Sequence, residues 1–160
     1  PAMTAIDETG VGGGVLDIVR RNLGQKAQVI GVNNGGEPQD KTRFANRGSE
    51  MWWRVREAFE KDQIGFSMED PEAIDELISD LNRPTYEYVR ESRLKVDKFG
   101  LPRGKSEYSM DYEERAAASP DRGDSFVLAY NAARPFIVSA QQVPVTVRRY
   151  LPRTVGGVSL

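Results

Sequence analysis

The chain contains neither histidine nor cysteine. The first absence speaks against a zinc centre and removes the usual base partner of a serine nucleophile. The second excludes disulfides and thiolate ligands. No apolar run reaches the ~20 residues that a membrane-spanning helix needs, and no secretory leader is visible. Neither sign of charge dominates: 22 basic residues stand against 24 acidic ones, a net charge of −2. Nucleic-acid binders are often basic because phosphate contacts dominate their affinity, so this balance argues for caution. What the chain does hold is oxygen donors. If it is an enzyme, carboxylates and a hard divalent ion are the chemistry open to it.

With 160 residues, 39% hydrophobic and 29% charged, the chain is long enough for one domain with a real core and too apolar to be disordered. The charge is unevenly placed. Residues 107–124 are rich in carboxylates, whereas 141–160 contain Arg148, Arg149 and Arg153 and no acid.

The hydrophobic pattern alternates between strand and helix. Residues 4–7 read as the end of a strand, and the glycines of 10–14 as a tight turn into a helix. Val15, Ile18, Val19 and Leu23 recur at helical spacing in that helix, with Gly24 placed to end it. Residues 27–32 read as a buried strand closed by Asn33-Asn34-Gly35-Gly36. A second helix is expected over 46–61, with Met51, Trp52, Val55 and Phe59 on one face, followed by a short strand at 64–67. Asp70-Pro71 starts a third helix, Asp as N-cap and Pro at the first helical position. Strands at 84–89 and 94–96 follow, then a loop from 101, a helix near 108–118 and an apolar helix at 124–134. Beyond Pro135 prolines and glycines break the pattern, so 136–160 reads as an extended tail and 1–135 as a single α/β domain.

Asp7 sits where that strand gives way to the glycine turn, the edge at which open α/β sheets bind ligands. An Asp there also serves simply by accepting backbone hydrogen bonds in the turn, and by itself that is the better reading. The glycine run invites a phosphate-loop reading, but it lacks the Lys-Ser/Thr of a Walker A loop and is not a clean Gly-x-Gly-x-x-Gly. Asp121 and Asp124 lie three apart at a helix entrance, where either can cap backbone N–H groups. An acid that also faced Asp7 would complete a metal pair. Phe44, Trp52 and Trp53 offer rings for base stacking, although helical spacing puts Trp52 in the core. Glu107, Asp111, Glu113 and Glu114 read as a solvated helix face.

Taken in order, Ile6-Asp7-Glu8-Thr9-Gly10-Val11-Gly12, Phe44-Ala45-Asn46-Arg47-Gly48-Ser49-Glu50-Met51-Trp52, the 107–115 region and Ser119-Pro120-Asp121-Arg122-Gly123-Asp124-Ser125 resemble the C-terminal nuclease domain of the large terminase subunit of tailed bacteriophages. The resemblance spans Asp7 to about Ala129. It implies a ribonuclease-H-like mixed sheet flanked by helices and an endonuclease dependent on Mg²⁺ or Mn²⁺. Such a domain cuts concatemeric double-stranded DNA in the host cytoplasm, alongside a portal protein and a small terminase subunit, with no membrane involved. The family's acidic positions fall on Asp7 and on Asp124, with Asp121 close behind, as metal ligands and catalytic groups. Arg122, Arg148 and Arg149 are the candidate DNA contacts.

Two departures accompany it. The family's first metal-binding Asp lies on an opening strand upstream of Asp7 that has no counterpart here, so the fold is expected to be truncated at its N-terminus and the fragment to be weak or inactive alone. An exposed sheet edge would then favour self-association. Ser109 stands where the family carries Lys. The rival readings are a non-catalytic module docking to portal or small subunit, and a nucleotide-binding domain built on the glycine turn.

Overall fold

The computed structural model describes residues 2–9, 12–66, 70–101, 110–111, 113–114 and 118–140. Strand β1 (Ala2–Asp7) leads into helix α1 (Gly12–Leu23), and a 3-10 turn at Gly24–Lys26 connects to strand β2 (Ala27–Val32). Helices α2 (Arg47–Glu60) and α3 (Pro71–Asn82) follow, then strands β3 (Thr85–Tyr88) and β4 (Leu94–Asp97), and helix α4 (Asp121–Ala140). β1 and β2 pair in parallel from Ala2 opposite Ala27 to Asp7 opposite Val32, with α1 as the crossover. β3 and β4 form a separate antiparallel hairpin, Tyr88 opposite Leu94. The architecture is mixed α/β with two small sheets.

The core gathers Val32, Met51, Trp52, Val55 and Val127, so β2, α2 and α4 meet in one cluster. Around it α4 also packs against β1 and α3. The start of α2 carries its own cap: the Asn46 side chain accepts from the Ser49 N–H at 2.8 Å. Two more first-turn donors go to the preceding loop, Arg47 N–H to the Gly36 carbonyl and Gly48 N–H to the Asn34 carbonyl. Glu50 is 1% exposed and accepts from the Gln39 and Asp40 amides while pairing with Arg54 at 2.7 Å, which folds the 37–40 segment over the helix. Ser49 Oγ accepts from the Val96 N–H, tying α2 to β4.

Several elements differ from expectation. Gly12–Gly14 are already helical rather than turn, because Gly12 lies against the Asp7 carbonyl; a Cβ there would sit 1.8 Å from that oxygen. The close strand–helix approach therefore explains the glycine. Gly24 ends α1 in the left-handed region at φ 52°. β2 is half-buried rather than buried, with Val32 alone fully enclosed. Residues 64–66 form no strand: Ile64 packs on the core and the Phe66 ring meets Phe59 and Phe126, so side-chain packing replaces sheet pairing. α4 starts three residues earlier than expected and runs past Pro135 to Ala140, five residues into the expected tail. The missing Pro135 N–H forgoes one helical bond without ending the helix. The helix expected over 108–118 falls largely outside the described residues, as do 141–160. Asp111 and Glu114, which are described, exchange reciprocal backbone-to-carboxylate bonds, a capping box on a solvated face.

Candidate metal centre

Asp7 ends β1, and the pairing of β1 with β2 puts it opposite Val32. Its Oδ1 accepts from the Thr9 N–H at 2.9 Å, the turn bond expected of an Asp there. Its Oδ2 accepts from Asn34 Nδ2 at 2.8 Å. Asn34 is aimed by the start of α2, whose Gly48 N–H holds the Asn34 carbonyl at 2.8 Å. The Phe44–Trp52 motif thus acts on the site indirectly. Phe44, Met51 and Trp52 are buried, Phe44 bridging to Leu94, so neither Phe44 nor Trp52 presents a ring for base stacking. Trp53 is half-buried, bonded through its indole N–H to Glu57 and flanked by Arg43, Arg56 and Tyr86.

Asp124 lies in the first turn of α4, one turn before Val127 and on the same face. Val127 shares the core cluster with Val32, the register partner of Asp7. Asp124 is half-buried and pairs with the Lys98 ammonium, which follows β4. Asp121 is exposed and accepts from Ser119 Oγ at 2.6 Å. Arg122, expected to contact DNA, pairs with Glu76 of α3 at 2.6 Å, with both side chains largely exposed. Arg148 and Arg149 lie outside the described residues.

Asn34, Lys98 and Asp80 were not singled out by sequence. Asn34 hides in a turn signal and Lys98 follows a short strand, so neither carries a distinctive pattern. Asp80 leaves a trace. It falls at i+3 from Leu77, within the apolar face of α3, and in the last helical turn, where the macrodipole disfavours an acid. It is 8% exposed and its Oδ2 accepts the Arg122 and Gly123 amides at 3.1 and 3.2 Å.

The donors fit a hard divalent ion in kind. They are oxygens, two carboxylates from packed elements, and beside Asp7 the buried Asn34 Oδ1 has no hydrogen-bond partner. Mg²⁺ commonly keeps several waters and takes only one or two carboxylates from the protein. Among the described residues no three acidic groups gather into a fuller cage. An ammonium already rests against Asp124, where a cation is electrostatically favoured. A cleft of about 660 Å³ lined by Trp53, Phe59, Phe66 and Tyr86 among others lies apart from this chemistry, since neither Asp7 nor Asp124 lines it. No described helix is long and apolar enough to cross a membrane.

No protein-family profile matches the chain, and no curated protein matches it either. Among solved structures, its fold is similar to the nuclease domain of the large terminase subunit gp2 of bacterial virus Sf6, a lysine-to-alanine mutant with manganese and β-thujaplicinol. The likeness has a TM-score of 0.53 at 13% identity and covers 78% of this chain. It covers 63% of the other chain, so this chain spans less than two thirds of that domain. The mixed α/β fold is thus similar to that of a terminase nuclease domain.

Proposed function

We propose that this chain is the metal-binding part of a ribonuclease-H-like terminase nuclease that cuts concatemeric double-stranded DNA during viral packaging. The observation that carries the reading is a coincidence of two independent lines. The motif carboxylates Asp7 and Asp124 lie on β1 and α4, elements that pack together, within a chain whose fold is similar to a terminase nuclease domain. In this reading Asp7 and Asp124 hold Mg²⁺ or Mn²⁺, with Asp121 in support and Arg122 near the DNA backbone. A divalent ion bound there supplies an activated water and charge stabilisation for phosphodiester hydrolysis. The chain's own residues set the geometry: Asn34 orients Asp7, and Lys98 balances charge at Asp124. The nuclease unit extends past the expected boundary at 135 to take in all of α4, through Ala140, and the whole protein works in the host cytoplasm with a portal protein and a small terminase subunit.

A second reading, a non-catalytic module that docks to those partners, is favoured by one observation. No three acidic residues gather among the described residues. Plasmid nicking in Mn²⁺ and in Mg²⁺, run with calorimetric Mn²⁺ titration on the unaltered chain, Asp7→Ala and Asp124→Ala, separates the two. Nuclease function predicts Mn²⁺ binding and nicking that both variants lower by more than the ~10–100-fold typical of outer-shell changes at metal sites. Mn²⁺ binding indifferent to both variants sinks the site. Asp-dependent binding without nicking supports the metal site and assigns cleavage to a longer chain.

A further inference from the structure

The first turn of α4 is not capped by its own sequence. Asp121 opens the helix with its carboxylate engaged by Ser119, and Asp124, whose own amide donates to the Pro120 carbonyl, has its carboxylate engaged by Lys98. The Arg122 and Gly123 amides are instead taken by Asp80, which reaches across from α3. Asp80 is itself held by Arg83, at 3.4 Å to Oδ1, and the same guanidinium donates to the Ala118 carbonyl just before the helix. Gly123 admits this arrangement: a Cβ there would lie 2.9 Å from Trp52 Cη2 and 3.1 Å from Asp80 Cβ. One buried carboxylate and one arginine therefore clamp both sides of the α4 entrance onto the core.

We propose that Asp80 is a positioning residue for Asp124: by capping α4 from α3 it fixes the first turn of that helix, and with it the direction in which the Asp124 carboxylate faces Lys98 and a metal ion. An acid in the last turn of α3 opposes that helix's own dipole, so its placement serves the neighbouring helix rather than its own. The metal half of the proposal rests on the nuclease reading above, while the Lys98 half does not.

The test is a double-mutant cycle between Lys98→Met and Asp124→Asn, scored on urea unfolding midpoints without metal, in the unaltered chain and in an Asp80→Asn background. Calorimetric Mn²⁺ titration accompanies it. Asp80→Asn keeps an acceptor oxygen but loses the charge that Arg83 and the two amides share. The expected result is a measurable Lys98–Asp124 coupling that falls by more than half in that background, with Mn²⁺ affinity down about tenfold. Coupling unchanged by Asp80→Asn overturns the proposal, even if the Gly123 amide loses its protection from hydrogen exchange, because Asp80 is then only a cap. If Asp80→Asn does not fold, Asp80→Glu, which keeps the charge beside Arg83 but displaces the cap oxygens by one methylene, decides by the same criterion. The failure of the nuclease reading looks different: no Asp124-dependent Mn²⁺ binding in the unaltered chain, with the coupling still sensitive to Asp80.

Discussion

α2 and α4 both carry acid in the first turn, Glu50 in one and Asp121 and Asp124 in the other, yet their ends are held in different ways. α2 is closed locally: Asn46 caps it, the loop before it takes two further amides, and buried Glu50 is satisfied by Arg54 one turn on and by loop amides. α4 is closed from a distance by Asp80, some forty positions earlier in the chain. The buried carboxylates, Glu50 and Asp80, build the frame. The half-buried ones, Asp7 and Asp124, have fewer partners: the Thr9 amide and Asn34 for Asp7, the Lys98 ammonium for Asp124. The two kinds are separated by burial and bonding rather than by residue type.

Removing Glu50 tests the contrast most severely. Glu50→Ala leaves Arg54 and two loop amides without their partner, and burial already lowers the Arg54 guanidinium below its ordinary value against the pull of Glu50. A loss of about 3 kcal/mol is expected in urea unfolding, whereas Asp124→Ala, at a half-buried position, should cost under about 1 kcal/mol. Equal losses would erase the distinction between frame and site. Gly123→Ala comes next. Its Cβ presses on Trp52 and Asp80, so about 2 kcal/mol of stability should go, with a matching loss of Gly123 amide protection by hydrogen exchange.

Asn46→Ala removes only a local cap and should cost about 1 kcal/mol, with NMR shift changes at the start of α2 and the Asn34 turn it pins, and none in the first turn of α4. The smallest effect lies on the exposed side of α2. Burial pushes the Glu57 carboxyl up, but the Arg43 hydrogen bond and charge, with the Trp53 N–H and Lys61, hold it below its ordinary value of 4.5. A depressed carboxylate stabilises the fold above its unfolded value and loses that contribution as pH falls through the folded one. Glu57→Gln should therefore flatten the melting-temperature profile between about pH 5 and pH 3, by less than about 1 kcal/mol at neutral pH.

What could be read in advance followed from local rules. Asp70-Pro71 marked the start of α3, and Met51, Trp52 and Val55 at helical spacing marked the buried face of α2. The Phe44–Trp52 motif was legible as a motif, but its work is structural. It packs Phe44 and Trp52, caps α2 and pins the Asn34 turn. Ile64 and Phe66 alternate like a strand, yet they pair with no strand among the described residues, and their side chains pack on the core. The start of α4 was misplaced by three residues because its cap lies on α3, beyond the reach of any local pattern.

The amino-acid sequence by itself determined the chemistry: oxygen donors only, an acid at the end of the first strand, and a pair of acids at the last helix. Side-chain type and short-range periodicity carry that information because they depend on residues a few positions apart. Only the tertiary structure decided which acids are buried in the frame and which stay half-buried with fewer partners. That division rests on bonds from Asp80 to α4, Asn34 to Asp7 and Lys98 to Asp124, each joining segments that come together only when the core closes.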